Sequence, residues 1–214
     1  MRSTIRRLFQ IEHRIMIENK LRGTTMSMAP DYDKLTVYAK SFSGMTPELE
    51  ALLIETGKKI KPKLAGITEN FYDHLLTIPE ASTFLEGRVE SLKTTHQRWL
   101  EGLFTGPYDR TYTEQMYKVG DVHVKVNLPV EFMAGAMTLI NSRLIESVVE
   151  TFGDDVKRCS QVLVAVNAIT GMSLLIMQQS YQEASLAEEL EKFLNISGMS
   201  RTLFANLASA YKND

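Results

Sequence analysis

The sequence holds a single cysteine, Cys159, in 214 residues. That excludes a disulfide framework, and with it any structural zinc site needing two or more thiolates. A lone thiol fits a reducing, cytoplasmic setting. Net charge is almost absent too: 24 basic against 26 acidic residues leave −2. Nucleic-acid binding therefore lacks its electrostatic footprint, and no nucleic-acid partner is expected. Proline is sparse, at positions 30, 47, 62, 79, 107 and 129, and none follows. No Asn-Gly or Asp-Gly turn occurs and no run alternates apolar with polar residues for long, which argues against a hairpin-built β fold. The longest apolar stretch, residues 162–177, includes Asn167, Thr170 and Ser173 and falls short of the roughly 20 residues that cross a bilayer. A helix apolar on nearly all sides belongs inside protein, covered by the core on one flank and by a partner helix on another.

What remains is a globular composition, 44% apolar and 23% charged. The length suits one domain with extensions and a core that needs no covalent staple. Charge is unevenly placed. Residues 1–29 carry Arg2, Arg6, Arg7, Arg14, Lys20 and Arg22 against Glu12 and Glu18, so this leader is +4 and the rest of the chain −6. Two readings fit it: a mobile extension, the commoner fate of a terminus, or a basic amphipathic helix touching anionic lipid. Its apolar residues never form the unbroken run of a secretory signal.

The pattern predicts an all-α protein. A short helix is expected near 32–42. The next starts at a clear signal, with Thr46 as cap, Pro47 in the first helical position and Glu48 complementing the dipole. Pro62 is expected to interrupt it, and a following helix carries Leu64, Ile67, Phe71 and Leu75 on one stripe. Further helices are expected at 79–86, 88–104, 109–125, 129–151 and 154–186, with two short ones at 187–195 and 199–211. The domain reading is a basic extension over 1–29, a main domain over 30–186 and a helical tail or linker over 187–214.

One helix concentrates the chemistry. In DRTYTEQMYKVGDVHVKV, residues 109–126, the side chains Tyr112, Met116, Val119, His123 and Val126 recur at helical spacing on one face. Glu114, Lys118, Asp121 and Lys125 share the opposite face. A histidine on an apolar face is more often a hydrogen-bonded core residue than a ligand. Zinc is weaker still, since no second His or Cys lies at ligand spacing. One metal centre asks for a single imidazole in an apolar wall: haem, whose porphyrin supplies the other four nitrogens and leaves a sixth position for a gas. Tyr72, bordering the apolar stripe, has a phenol able to donate to such a ligand, although a core-edge tyrosine often just keeps its hydroxyl in water. Thr95 offers a second hydroxyl, although threonine within a helix usually bonds the preceding turn.

These residues resemble the globin domain of globin-coupled sensors and, more loosely, the protoglobins. The likeness runs from about residue 45 to 185. It rests on four ordered anchors: FYDHL (71–75), LKTTHQRWLEGLF (92–104), VGDVHVKVNLP (119–129) and the proline-free helix pair that follows. The resemblance implies a globin-like sensor fold with an extra N-terminal helix and no D helix, and a haem pocket between helices. It implies haem b (iron protoporphyrin IX) with His123 as proximal iron ligand, Tyr72 as distal donor and Thr95 as a second distal polar residue. Phe71, Leu92, Met116, Val119, Val126, Phe132 and Met133 would line the cofactor. Two positions depart from the family pattern: Asn127 stands where many members have glycine, a substitution left-handed geometry tolerates, and Met133 follows Phe132 where an aromatic pair is common. His96, one residue past Thr95, is a minor candidate for a sixth ligand in a gas-free ferric state; His74 and His13 have no such role.

The reading that follows is a non-enzymatic gas sensor taking O2, CO or NO. It relays ligand state through a homodimer of its last two long helices, a four-helix bundle, to a signalling output protein or domain. The residues after 187 are too few for an enzyme, so the chain reads as a sensor fragment or as a sensor acting through another protein. Two alternatives stand beside it: a haem globin with NO or O2 redox or scavenging activity, and a haem-free globin-like interaction module.

Overall fold

The computed structural model describes residues 30–210. The leader over 1–29, with its mobile-extension and lipid-contact readings, lies outside the described residues, as do 211–214. All eight described elements are helices: α1 (Tyr32–Ser43), α2 (Pro47–Leu76), α3 (Pro79–Ser82), α4 (Val89–Gly102), α5 (Arg110–Lys125), α6 (Val130–Phe152), α7 (Val156–Ser197) and α8 (Arg201–Ala210). The fold divides into two compact units, Asp31–Ser185 and one holding the described residues from Leu186 on.

Local signals set most of the boundaries. Asp31 caps α1 by accepting from the Lys34 amide at 3.1 Å, and Gly44 ends it at φ +69°. Thr46 caps α2, with Pro47 in its first turn. Asp109 caps α5 by accepting from the amides of Thr111 and Tyr112. Two expectations need correction. Pro62 does not interrupt α2, which runs unbroken for 30 residues. The ring sits on the exposed outer side, while Leu53, Ile60, Leu64, Ile67 and Phe71 are buried on either side of it. Each such side chain contributes about 1.5–3 kcal/mol, enough together to outweigh the roughly 3 kcal/mol of an interior proline. Likewise the expected helices 154–186 and 187–195 are one, α7, of 42 residues. The acidity of the chain rises after 182, but neither Gly nor Pro stands there to end a helix.

In the first unit α2 packs on α4 and α6, and α1 packs on α5. The core is built from Leu53, Ile60 and Leu64 of α2, Leu100 of α4, Leu144 and Val148 of α6, and Val162, Val166, Ile169, Met172 and Ile176 of α7. α7 is long and apolar enough by composition to cross a bilayer, yet more than half of that stretch is buried inside the protein. Its backing of α5 is close. At Gly120 an added Cβ would lie 2.4 Å from the Met177 carbonyl oxygen and 2.7 Å from Ser180 Cβ. Gly120→Ala gains about 1 kcal/mol of helix propensity but meets backbone that cannot rotate away, an overpacking cost of about 1–3 kcal/mol. A lowered melting temperature is expected in thermal unfolding; a raised one contradicts this packing.

In the second unit the end of α7 and α8 form a helical hairpin through Gly198, at φ +66°. Ser200 caps α8 through the Leu203 amide. Phe193 and Phe204 meet edge to face at 6.2 Å, and Arg201 pairs with Glu191.

Candidate functional site

The site is built from α2, α4 and α5. α5 is two-sided as its sequence implies: Tyr112 and Met116 are buried, Val119, His123 and Val126 half-buried, and Lys118 and Lys125 exposed. Asp121 is not a free outer charge, however. It accepts from Ser180 Oγ of α7 at 2.7 Å.

His123 lies in the last turn of α5 and is anchored through its backbone. Asn127 is in the left-handed region at φ +54°, so the glycine-to-asparagine departure is absorbed by the one conformation that explains both residues. The Leu128 amide donates to the His123 carbonyl at 3.0 Å, and the Asn127 amide to the Val124 carbonyl at 2.8 Å. That pair of bonds is a Schellman cap with His123 as its third residue from the end. The His123 Nδ1 is buried without a partner. Burial also holds its pKa below the ordinary imidazole value, so the ring is neutral and able to offer a lone pair at neutral pH.

Tyr72 is 6% exposed on α2. Burial alone pushes its phenol up to about 12, which keeps the proton on the oxygen at any physiological pH. It meets Phe71 edge to face at 5.2 Å and His96 edge to face at 5.6 Å. Phe71, Tyr72, Met116 and Met133 share one buried cluster, with Leu92 and Val119 packed against it. Phe132 is half-buried and meets Phe84 edge to face at 6.0 Å. Thr95 is not brought to this cluster: it is exposed on α4, and its hydroxyl donates to the Ser91 carbonyl of the preceding turn at 3.1 Å. The polar position that does face Tyr72 is the next one, His96.

The sequence reading gave little weight to three residues that matter here. Trp99 Nε1 donates to Met116 Sδ at 3.1 Å and so fixes α4 against α5. Thr68, 2% exposed on α2, bonds His96 Nδ1 at 3.1 Å; a lone polar residue next to an apolar stripe was the available signal. Tyr181 of α7 donates to the Leu128 carbonyl at 2.7 Å, which no pattern in the sequence announces.

This donor set fits haem better than a bare ion. Among the described residues no group of three or more His, Cys, Asp or Glu side chains could hold a metal ion. What the site offers is neutral imidazoles with orphaned ring nitrogens in an apolar setting, the arrangement that suits a metal bringing four ligands of its own.

Comparisons with known proteins agree with this chemistry. The profile of the Protoglobin family matches residues 33–187. The heme-based aerotactic transducer HemAT of Halobacterium salinarum is 26% identical over 138 residues, covering 63% of this chain and 28% of that protein. The chain thus spans under a third of that curated relative's length. Among solved structures, the globin domain of the Geobacter sulfurreducens globin-coupled sensor matches with a TM-score of 0.64 at 32% identity, over 67% of this chain and 95% of that one. The ferric globin domain of E. coli DosC matches in fold, with a TM-score of 0.56 at 18% identity over 68% of this chain and 99% of that one.

Proposed function

From the premise that the chain belongs to the protoglobin family and carries a globin-like, all-helical sensor fold, we propose that residues 31–185 are a gas-sensing domain. It would hold haem b through His123 and bind O2, with CO and NO as further ligands. The observation that carries this reading is the neutral imidazole of His123, its Nδ1 buried without a partner, on the helix whose Met116 shares an apolar cluster with the buried, protonated Tyr72. When bound, haem supplies an iron that takes up a diatomic gas reversibly at its sixth position. The protein's own parts divide the remaining work. His123 holds and orients the cofactor; Phe71, Leu92, Met116, Val119, Val126, Phe132 and Met133 exclude water from its faces; and Tyr72 Oη keeps a proton available for a ligand that gains negative charge.

Relay of the ligand state is supported by the way α7 grips α5. Tyr112 Oη and Ser173 Oγ are 2.6 Å apart, Ser180 Oγ donates to Asp121 at 2.7 Å, and Tyr117 Oη donates to Glu183 at 2.8 Å. A further chain of bonds runs from the His123 carbonyl through Leu128 to Tyr181 Oη. A shift of His123 on gas binding would thus be felt by the long helix. The outward stripes of the last two long helices support pairing with a second copy. On α6 the exposed positions Gly135, Thr138, Ser142, Ile145 and Val149, and on α7 Ser160, Val164, Asn167, Gly171 and Gln178, carry no charge. Uncharged side chains at heptad spacing suit helix packing in a four-helix bundle. A ligand biases such a bundle only by binding its two arrangements unequally, and an output partner or domain would read the difference. The role is binding, with no catalytic step assigned to this chain.

The test is the spectrum and mass of the purified chain. A Soret band, ferrous bands that change reversibly with O2, and a dimer mass are expected. Protein that stays colourless after hemin is supplied leaves only the haem-free interaction module; a monomer mass removes the bundle relay.

A further inference from the structure

The second unit has an apolar surface and almost no core. Its described part, residues 186–210, falls well below the roughly 40 residues that fold without a staple or a partner, and Leu194 is the one buried side chain within it. Leu186, Phe193 and Ile196 recur along one side of the end of α7. Ile196 is 89% exposed, and the other two are half-exposed. On α8, Leu203 and Leu207 form a second exposed pair one turn apart. The edge-to-face contact of Phe193 with Phe204 joins the two stripes into one face. Scattered exposed hydrophobes are ordinary, but a joined face on a two-helix unit marks a surface that something covers. A charge stands within it: Glu189, three residues after Leu186 and four before Phe193, is exposed and makes no ion pair among the described residues.

The described chain begins beside the root of this hairpin. Tyr32, in the first turn of α1, meets Tyr117 edge to face at 5.5 Å, and Tyr117 Oη donates to Glu183 at 2.8 Å. Glu183 precedes Leu186 by three residues on the same unbroken helix. Residues 1–29 therefore join the chain one tyrosine ring away from the point where α7 enters the second unit. Their sequence has the complementary character, with Ile5, Leu8, Phe9, Ile15 and Met16 on one helical side and an excess of basic residues.

We infer that residues 1–29 fold back as a third helix on this face, setting their apolar side against Leu186, Phe193, Ile196, Leu203 and Leu207 and their basic side chains beside the hairpin's carboxylates. Length permits it. A helix over 4–16 is about 20 Å long, against about 18 Å for the 186–197 stretch of α7, and residues 17–29 remain as a tether. Charge selects the occupant. Residues 186–210 carry Glu188, Glu189 and Glu191 against Lys192 and Arg201, so neither an anionic membrane nor a second copy of the hairpin brings the opposite sign, and the leader does. A short tether supplies an effective concentration of about 1 mM, so an intrinsic Kd of about 0.1 mM covers the face roughly ten parts to one. While docked, the leader denies this face to any other partner. The inference does not depend on haem.

The experiment is amide hydrogen exchange on the full chain and on Leu8→Asp and Leu207→Asp, in buffer and with phosphatidylglycerol vesicles. Wild type in buffer is expected to exchange the amides of 4–16 about tenfold more slowly than free chain, the inverse of the undocked fraction. Leu8→Asp is expected to abolish that protection and speed exchange in α8; Leu207→Asp is expected to abolish it from the other side. Amides in the core of α2 should stay protected throughout, which shows that the first unit remains folded. Unprotected 4–16 amides in wild type overturn the inference. So does protection that appears only with vesicles, which makes a membrane the occupant, and protection that falls on dilution, which makes it a second copy. Protection of 4–16 that survives Leu207→Asp also overturns it, since the leader then docks elsewhere. Should Leu207→Asp melt α8 by itself, Glu189→Arg decides. That side chain is exposed and makes no ion pair, so the hairpin keeps its helices while the leader meets a like charge. Protection of 4–16 is then expected to fall about two- to fivefold, and unchanged protection overturns the inference.

Discussion

His123→Ala is expected to leave a folded protein that has lost its hold on haem. The fold does not depend on this side chain. Its Nδ1 makes no hydrogen bond, and its contribution to the cap of α5 is the backbone carbonyl that receives the Leu128 amide, which alanine keeps. Stability of the haem-free chain should therefore change little, well inside the roughly 2–5 kcal/mol seen when a tightly packed core side chain is truncated. Haem affinity should fall by more than the roughly 10- to 100-fold that loss of an outer-shell partner costs, because the lost group is the ligand itself. Any cofactor remaining would be held through apolar burial, with an altered spectrum. The measurement pairs thermal unfolding of the apo chain with haem retention after transfer to a competing haem acceptor. Full retention with an unaltered spectrum removes His123 from the iron; an apo chain that no longer folds would mean its imidazole is a structural group.

Much of this site was legible because helices write their faces into the sequence at a fixed period. The inward position of His123 followed from Tyr112, Met116 and Val119, and the structure buries the first two. The Thr46-Pro47 start was equally readable, since a cap is a local interaction among adjacent residues. Thr95 shows where the period stops helping. It neighbours His96, and a step of about 100° along a helix decides between an exposed hydroxyl and a half-buried imidazole set among three aromatic rings. Pattern alone carries an uncertainty of about that angle. Pro62 shows the other limit: the residue is a local breaker, and only the tertiary burial of Ile60 and Leu64 on either side overrides it. Gly120 and Tyr181 were silent because their meaning lies in what α7 brings against them, and no arrangement along one chain segment encodes a partner some 60 residues away.

Tyr72→Phe is expected to keep haem and shorten the life of the O2 complex. The substitution removes one oxygen atom and preserves the ring that packs against Phe71 and His96, so pocket shape and cofactor affinity should persist. What is lost is a donor that burial keeps protonated up to about pH 12. A hydrogen bond to a partly charged acceptor is worth about 1.5–3 kcal/mol, which corresponds to roughly 10- to 150-fold in the O2 dissociation rate. CO carries less negative charge on its outer atom, so its dissociation should change far less, and the ratio of the two effects identifies electrostatic stabilisation as opposed to a change in pocket volume. The dissociation rate is the right quantity to measure because it starts from the gas-bound form. Measured by displacing O2 with excess CO, an unchanged O2 rate in Tyr72→Phe would show that the phenol does not face the ligand, and an equal acceleration for both gases would assign the effect to sterics.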